Sequence, residues 1–465
     1  MFKDLKYKLN EFWSEFRKVK SGVVGLVFLI IFILMIIFEP LISPFPEAGK
    51  RWRDITYWED NSKSAPPVWT NLFTSKKYAR SETLTAPIEN VTDNGRVKIT
   101  EYEFDYDYKA DRPPGDIIFR TEATGNLLFI TEIIRPDGET VSITRNNYNF
   151  SKPSNVRIAL SNDSKNGAYE LATKFDKENT LSIPKQSIDG FNILFSKVQE
   201  NMASTHDPLK GTYKIKIRIL NPGSTGVLEN PRVIVSGSVS GILGTDNSKR
   251  DIWSGIVAGV KWAMLIGLLT SALSVAIGVI YGVISAYLGG FADSLLQRIY
   301  EIFVSMPVLP VLIVLGAVFK PSIWIMIIIM CVFFWTGPVK TVRSIGLQIK
   351  EETYIEASKA IGASNTRIIF KHMIPLLIPY SFASMALSVP SAIVYEATIS
   401  MLGLGDPSIT SWGQILQDAN SAGAVIQGLW WWVVPPGLMI SLVGMTFAFI
   451  GFAMDKILLP KLKTR

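Results

Sequence analysis

The chain has 465 residues, of which 48% are hydrophobic and 19% are charged, and its mean hydropathy is +0.25. Soluble globular proteins carry about 25% charged residues, so this composition argues against a purely soluble protein and against a disordered one. One cysteine and two histidines exclude an internal disulfide framework and argue against a multi-cysteine or histidine-based metal site.

Six uncharged stretches hold most of the apolar residues, and each has room for the roughly 20 residues that cross a bilayer as a helix. A backbone in lipid has to satisfy its own hydrogen bonds, so we predict transmembrane helices there. The first stretch also resembles a signal peptide, but it is long for one and lacks a clear cleavage site, so we expect an uncleaved anchor. The six stretches are 22–38, 262–292, 302–319, 321–339, 373–395 and 419–454.

A polar region of roughly two hundred residues follows the first stretch, and its alternating segments predict strands in an all-β sandwich or barrel. These segments are 96–104, 141–144 and 213–219, with Gly-containing turns between them. Several aromatic residues in this region are candidates for a sugar or peptide platform, although packing near the membrane surface is the preferred interpretation. They are Trp52, Tyr57, Trp58 and Trp69. Three glycosylation sequons, at Asn90, Asn149 and Asn162, are short enough to occur by chance.

The basic residues predict the orientation in the membrane. Lys and Arg are concentrated in the N-terminal tail, in the segment 340–372 and in the C-terminal tail, whereas 396–429 has none. Cytoplasmic loops carry an excess of these residues, so we predict both termini and 340–372 in the cytoplasm of a multi-pass cell-membrane protein. A nucleic-acid-binding protein would need them on one soluble face, so the net charge of +7 does not indicate nucleic acid.

These patterns predict an α-helical membrane protein of about six transmembrane helices with an inserted, β-rich, sandwich-like domain outside the cytoplasm. The predicted parts are a cytoplasmic tail (1–21), the first transmembrane helix (22–44), the extracytoplasmic domain (45–239), a lead-in segment (240–261), a five-helix core (262–455) that includes a cytoplasmic loop (340–375), and a cytoplasmic tail (456–465).

Motifs of catalysis and nucleotide binding are missing from the sequence. It contains no GxxxxGK[ST], no HExxH and no GxSxG, and no GxGxxG after a strand. His206 beside Asp207 is the nearest approach to a catalytic pair, but neighbours on a strand point to opposite faces. We therefore expect a non-catalytic chain.

The segment 354–375 predicts two short helices that meet at Gly362. Glycine allows the left-handed turn that ends a helix, and Ser364 or Asn365 can cap the next one. A narrow stripe of small and apolar residues would suit docking into the groove of a partner protein: it consists of Ala357, Ala360 and Ile361. An ordinary solvated loop with a capped helix explains the same residues about equally well.

This segment resembles the EAA motif of ABC-importer permeases, which is E-A-A-x-x-x-G followed by a proline thirteen residues after the glycine. Glu356, Ala357, Gly362 and Pro375 match it, and Ser358 stands where Ala is usual. Three further motifs resemble the C-type permease of dipeptide and oligopeptide transporters. They are 244–251, with Lys249 in place of the usual Gly, 287–293, which fits Y-x-G-G-x-x-D, and the pair 402–405 and 411–413, with Thr410 in place of the usual Pro.

The resemblance implies a type I ABC-importer fold and a permease that forms half of a pathway for peptides. It covers 240–465 strongly and 1–45 weakly, so 46–239 is interpreted as an insertion. A second permease, two ATPase subunits that bind the ATP and an extracytoplasmic solute-binding protein would be its partners, and the chain itself would need no cofactor or metal. The implied ATPase-coupling residues are Glu356, Ala357, Ser358, Gly362, Ala363, Arg367 and Pro375.

Candidates for the pathway or its gating are Pro307, Glu396, Gly403, Gly405 and Trp412. Prolines within the spans break helical hydrogen bonds, and hinging and static packing both explain them. We expect Glu396 at the outer boundary, near 402–405, where it would cap or hydrogen-bond the backbone.

Three alternatives stay open from the sequence. The same machinery could import oligosaccharides instead of peptides. A channel or secondary transporter would predict an internal repeat and ionisable residues inside the spans, neither of which the sequence has. A membrane-anchored surface receptor would work through 45–239, but would leave five spans and the coupling segment unexplained.

Overall fold

The computed structural model describes residues 12–223 and 226–458. Residues 1–11 and 459–465, which belong to the two predicted tails, lie outside the described residues.

The chain divides into two compact units. One is Arg53–Trp253, and the other combines the residues up to Trp52 with those from Ser254 onward. The sequence places the inserted domain at 45–239, whereas the structure groups its first residues with the membrane unit and part of the lead-in segment with the domain.

The unit Arg53–Trp253 is built around one antiparallel sheet of seven strands. Successive side chains of a strand point to opposite faces, and in β3 and β6 mostly every second side chain is buried. The strands are β1 (Glu82–Leu84), β2 (Ile88–Asp93), β3 (Val97–Tyr108), β4 (Asp116–Ile134), β5 (Thr140–Ala159), β6 (Gly211–Pro222) and β7 (Leu228–Ser236).

The 19-residue strand β4 organises this sheet. Along one edge it pairs with β5, and along the other its first half pairs with β7 and its second half with β6. The sheet continues from β6 to β3 and β2, and from β7 to β1. A β-bulge and a φ of +86° at Gly125 mark the middle of β4, where the two branches separate.

The prediction of a β-rich domain is confirmed, but the sandwich is not, because all the described strands belong to one sheet. Alternation predicts that a strand has a buried face and leaves open what covers that face. Here α2 (Leu160–Phe175) covers part of it: a Cβ on Gly167 would lie 2.2 Å from the carbonyl oxygen of Ser142 in β5. Shorter helical segments are Ile55–Trp58, Val68–Leu72, Lys177–Leu181, Lys185–Ser187 and Gly190–Leu194.

The sequence candidates in this unit have structural partners. Nδ1 of His206 lies 2.7 Å from the hydroxyl of Ser196, and Nε2 lies 3.1 Å from the carbonyl oxygen of Asp111. The imidazole therefore links two backbone segments. Trp58 is buried and its ring meets that of Tyr57 edge-on at 4.8 Å, which favours packing over a ligand platform.

The two ends of this unit lie side by side in a neck, formed by residues 61–65 and 244–251. The backbone amide of Ser64 donates to the carbonyl of Asp246 at 2.8 Å, and the amide of Thr245 donates to the carbonyl of Ala65 at 2.8 Å. The hydroxyl of Thr245 also donates to the carbonyl of Ser62 at 2.7 Å. The chain therefore leaves the unit next to the point where it came in.

Lys249 lies in this neck with a φ of +66°, in the left-handed region that favours glycine. Glycine is usual at this position in the permease family that the sequence resembles, and the left-handed conformation explains that preference. The ammonium donates to the carbonyl of Glu59 at 2.8 Å, and the side chain of Asn61 donates to the carbonyl of Lys249 at 3.1 Å. Burial, and then the charge of Arg157, lowers the pKa of Lys249.

Two substitutions of Lys249 distinguish the backbone strain at this residue from the loss of its ammonium contact. Lys249→Gly and Lys249→Ala both lose the ammonium, but only glycine adopts the left-handed conformation without strain. We expect Lys249→Gly to be the more stable of the two by about 1 kcal/mol. Thermal unfolding of the two purified variants measures the difference, and equal midpoints would contradict the strain at this position.

The membrane unit is helical in its described residues. The first apolar stretch forms α1 (Lys20–Ile37), which short helices at Glu39–Ile42 and Ala48–Arg51 follow. After the inserted unit come α3 (Ile252–Leu288), α4 (Gly290–Ser305), α5 (Val308–Val318), α6 (Ile323–Phe334), α7 (Thr336–Lys350), α8 (Thr353–Ala360), α9 (Ile374–Ile399), α10 (Trp412–Ser421) and α11 (Trp430–Leu458). Asn365–Arg367 and a π-helical turn at Ile368–Met373 lead into α9, and Ser400–Leu404 forms a second π-helical turn after it.

Among the described residues, four helices are long and apolar enough to cross a membrane alone, and the count reaches six if each of two bent pairs is one span. The pairs are α4 with α5, bent by 78°, and α6 with α7, bent by 40°. The sequence predicts a single span at each place, and it marks Pro307, in the first of them, as a point where a helix can kink. Pro307 stands at the first bend, and Pro338, just after the second, has no amide to donate to the carbonyl of Phe334.

Small residues bring the first helix close to the last one. A Cβ on Gly25 of α1 would lie 2.8 Å from the carbonyl oxygen of Thr446 in α11, and one on Gly22 would lie 2.5 Å from the Cβ of Ala453. Close approach at small residues is a common way for helices to associate in lipid. The first helix is therefore packed into the membrane unit and is more than a separate anchor.

Candidate functional site

The segment of the EAA resemblance folds as two helices joined by a tight turn at Gly362. The amide of Ala363 donates to the carbonyl of Ser358 at 3.0 Å, and the amide of Gly362 donates to that of Lys359 at 2.9 Å. These two bonds, with a φ of +84° at Gly362, form the Schellman motif that ends a helix. The hydroxyl of Ser364 then accepts from the amide of Arg367, at 3.3 Å, and caps the next helix.

One face of α8 is attached to the membrane unit and the other is exposed. Ile355 is fully buried in a cluster with Val283 of α3, Val342 of α7 and Met373. The residues of the predicted docking stripe are all exposed, and Ile361 is 86% exposed. They are Ala357, Ala360 and Ile361.

Polar contacts link this segment to the end of α3. The hydroxyl of Tyr287 donates to the side-chain oxygen of Asn365 at 2.8 Å. The ammonium of Lys359 lies 5.2 Å from the centre of the Tyr287 ring, within the range of a cation–π interaction. These contacts attach the segment to the end of α3.

The other predicted coupling residues lie on or beside the exposed face. Glu356 is exposed, and its carboxylate has no hydrogen bond or ion pair with any residue that the structure describes, so it is available to a partner. Ser358 donates its hydroxyl to the carbonyl of Tyr354 at 2.7 Å. Arg367 and Pro375 are exposed and Ala363 is half-buried. The coupling role of these residues stays a prediction.

A π-helical turn precedes Pro375. The amide of Ile374 donates to the carbonyl of Ile369, five residues back. Pro375 has no amide to donate, so the ladder of hydrogen bonds changes register where the coupling segment joins α9. Such turns are places where a helix changes direction at little cost, which suits a junction between a docking element and a transmembrane helix.

A charged contact that the sequence reasoning missed joins three helices near the same segment. Nε of Arg343 in α7 donates to the carboxylate of Asp293 in α4 at 2.8 Å. The hydroxyl of Ser285 in α3 also donates to this carboxylate, and Gln297 donates to Ser285 at 2.9 Å. Asp293 belongs to the Y-x-G-G-x-x-D resemblance, but its partner is 50 residues away along the chain.

Breaking this contact should reveal a shared role of the two residues. Because the pair is partly buried, we expect Arg343→Met and Asp293→Asn each to destabilise the protein, and the double variant to be little worse than either. The expected interaction energy is about 1–3 kcal/mol. Thermal unfolding of the four proteins measures it. Additive losses would mean that the two side chains act independently.

Glu396 is 3% exposed and lies where α9 ends. Its carboxylate accepts from the hydroxyls of Ser400, at 2.8 Å, and Ser411, at 2.7 Å. The predicted position near 402–405 agrees with the structure. The predicted contact with the backbone does not, because the donors are side chains; the hydroxyl of Ser411 in turn accepts from the amide of Gln414 and caps α10.

The remaining gating candidates lie in tightly packed surroundings. Gly403 has a φ of +83° at the turn after α9. A Cβ on Gly405 would lie 2.1 Å from the hydroxyl of Ser400. Trp412 is buried, donates to the carbonyl of Ile256 at 3.0 Å and packs on Gly259 of α3. The structure thus gives the motifs at 402–405 and 411–413 a packing role. A part in gating stays a prediction for these motifs and for Pro307.

Two family models match the chain. Residues 9–67 match the N-terminal transmembrane domain of oligopeptide transport permease C, and residues 278–464 match the inner membrane component of binding-protein-dependent transport systems. Most of the unit Arg53–Trp253 lies outside both matches.

Curated relatives agree with these models. The chain is 35% identical over 221 residues to the dipeptide transport system permease protein DppC of Bacillus subtilis, covering 47% of this chain and 68% of that one. It is 34% identical to the oligopeptide transport system permease protein OppC of the same organism, covering 47% and 72%. A solved structure of the MetNI methionine ABC transporter is also similar, at 22% identity and a TM-score of 0.33, over 44% of this chain and 94% of that one.

The fold and the relatives together define a multi-pass membrane permease of ABC importers. The chain belongs to the family of inner membrane components of binding-protein-dependent transport systems, in its branch of dipeptide and oligopeptide permeases.

Proposed function

We propose that this chain forms half of the translocation pathway of an ATP-driven importer of peptides. A second permease completes the pathway, two ATPase subunits dock in the cytoplasm, and a solute-binding protein delivers the peptide outside. The chain itself hydrolyses no ATP. The observation that carries the proposal is α8, which is anchored at Ile355 and presents an exposed face that ends in the Gly362 turn.

The proposed mechanism follows from how α8 is attached. ATP draws two ATPases together, and the exposed face of α8 moves with the ATPase that it contacts. Tyr287 and the cluster around Ile355 pass this displacement to α3, α7 and α9. The nucleotide thereby shifts a two-state equilibrium between outward-facing and inward-facing forms, because it binds them with different affinities.

The proposed orientation places both termini and α8 in the cytoplasm and the unit Arg53–Trp253 outside. The basic residues of 340–372 support it through the positive-inside rule. The names of the relatives support peptide cargo, since the two described above are a dipeptide and an oligopeptide permease.

The coupling proposal is tested by introducing a charged side chain on the exposed face of α8. We expect Ala357→Arg to lose the ATPase subunits when the transporter is purified from solubilised membranes, while the second permease stays bound. Ser294→Arg, at an exposed position of α4, is the matched control and should keep every subunit. Loss in both variants, or in neither, contradicts docking at α8. Uptake of labelled dipeptides, with an oligosaccharide in parallel, tests the cargo.

For the inserted unit we propose a role in docking the binding protein or in shaping the outer mouth. The neck allows a precise deletion, because the amide of Thr245 meets the carbonyl of Ala65 at 2.8 Å. Joining Ala65 to Gly244 by a short linker removes the sheet and keeps both segments of the neck. We expect reduced uptake with the ATPases still bound. Unchanged uptake would dispose of this role.

A further inference from the structure

Hydroxyl groups follow one side of α9 along nearly its whole length. Helical residues are spaced by about 100°, so six of the seven hydroxyl-bearing residues of α9 fall within an arc of about 80°. We call these six the hydroxyl stripe: Tyr380, Ser384, Ser388, Ser391, Tyr395 and Thr398. From the first to the last it extends roughly 27 Å, close to the thickness of the hydrocarbon core.

The stripe opens on a cavity of about 460 Å³. Five of its six residues line that cavity, with Thr336 and Gly337 of α7 opposite. Of the described residues that line the cavity, one is charged, Asp455 of α11. No Asp, Glu, Lys or Arg occurs between Ile374 and Tyr395, so the stripe itself is polar and uncharged.

Four of the hydroxyls are not satisfied by the chain. Ser388 donates to the carbonyl of Ser384, and Thr398 donates to that of Val394. The hydroxyls of Ser384, Ser391 and the two tyrosines have no hydrogen bond to any described residue, and Ser391 is exposed. In hydrocarbon each unpaired hydroxyl would cost free energy, so this side of the helix needs polar partners from outside the chain, such as water, a polar solute or groups of the second permease.

The seventh hydroxyl of the helix has a different environment. Ser381 lies outside the arc of the stripe, about 100° from Tyr380 around the helix, and donates to the carbonyl of Leu377 at 2.8 Å. It borders an apolar cavity lined with residues of α3, such as Val275 and Val279. Ser388 and Thr398 bond within the helix as Ser381 does, but the other four hydroxyls of the stripe differ from Ser381 because they have no partner among the described residues.

We propose that the hydroxyl stripe is this chain's wall of the translocation path, and that it conducts solutes through their main-chain amide groups. This inference rests on the proposed function. Neutral hydroxyls donate to and accept from peptide groups whatever the side chains are. Without a fixed charge they hold the solute weakly, which a path needs if the solute is to leave.

Cysteine accessibility tests the path directly. Cys331 is the single cysteine of the chain, so Cys331→Ser gives a chain without thiols, and labelling is counted on this chain after the subunits are separated. Ser384→Cys, Ser391→Cys and, as matched control, Ser381→Cys are made in it and assembled with the partner subunits in native membranes. The probe is a trimethylammonium methanethiosulfonate, which is charged and reacts with thiolates in water. We expect both stripe cysteines to react at least roughly tenfold faster than the control. Equal rates at the three positions would overturn the proposal.

Transport separates this inference from the function on which it rests. We expect Ser384→Leu and Ser391→Leu to reduce peptide uptake by roughly tenfold with all subunits still bound, and Ser381→Leu to leave it nearly unchanged. Wild-type uptake combined with unreactive stripe cysteines would overturn the path and keep the importer. Reactive stripe cysteines in a protein that takes up no peptide would overturn the peptide cargo and support the water-filled path.

Discussion

Gly362→Val should weaken binding of the ATPases strongly without unfolding the membrane unit. Apart from Gly362 and its two chain neighbours, no atom of the described residues lies within 4 Å of where a Cβ on Gly362 would be, so an added Cβ meets open space. Its cost is conformational, because the φ of +84° disfavours an ordinary L-residue by about 1–2 kcal/mol and a β-branched one more strongly. We expect roughly tenfold less ATPase copurified per permease.

Gly362→Asn is the matched control for this prediction. Asparagine adopts the left-handed conformation far more readily than valine and also adds a side chain. It should keep most of the ATPase. If both variants lose the ATPase equally, added bulk at the docking face is the cause and the turn is not. If both keep it, the Gly362 turn is not needed for coupling.

Arg135→Met should destabilise the inserted unit by about 3–5 kcal/mol. The side chain is fully buried and donates to the carbonyls of Ile193, at 3.1 Å, Leu194, at 2.9 Å, and Ser196, at 2.7 Å. Methionine fills much of the space but removes the guanidinium donor from these three carbonyls and from the carboxylate of Asp137, which keeps the amide of Glu139 at 3.2 Å. The thermal unfolding midpoint of the unit should fall by roughly 10 °C. Arg232→Met, at an exposed position of β7, is the control and should shift it little.

The same contact predicts a pH dependence. Burial opposes ionisation of Asp137, but the hydrogen bond and charge of Arg135 outweigh it and lower the pKa of that carboxyl. A folded-state pKa below the unfolded value gives stability that is present above about pH 4 and lost as the pH falls through the folded pKa. We expect Asp137→Asn to flatten this acid limb in unfolding curves. An unchanged limb would mean that other carboxylates set it.

The helical part of the fold follows from the sequence because its signals are local. Uncharged stretches and clusters of Lys and Arg can both be recognised from neighbouring residues in the sequence. The six stretches correspond to the four single helices and the two bent pairs. Pro307 marked the first bend, whereas the second, near Pro338, was not predicted, because a stretch of even hydropathy hides a change of direction.

Contacts between distant residues could not be predicted in the same way. Arg343 was interpreted only as a topology signal, and its pairing with Asp293 depends on how α4 and α7 pack. In the inserted unit, alternation identified parts of β3, β5 and β6, but not the helix α2 or the single sheet. The spacing of the hydroxyl stripe at the helical period can be recognised in the sequence. The uncharged stretch around it was nevertheless interpreted only as membrane-spanning.

The neck has a consequence for how this chain tolerates an insertion of roughly two hundred residues. Closing a flexible loop costs conformational entropy that rises by about 0.6 kcal/mol with each doubling of its length. Backbone hydrogen bonds such as that between Thr245 and Ala65 close this loop within the inserted unit itself. The two flanking membrane helices are then joined by a connection whose effective length does not depend on what lies beyond the neck. A unit bounded in this way can be acquired, enlarged or exchanged in evolution, because the entropy cost of connecting the two flanking helices of the permease stays the same.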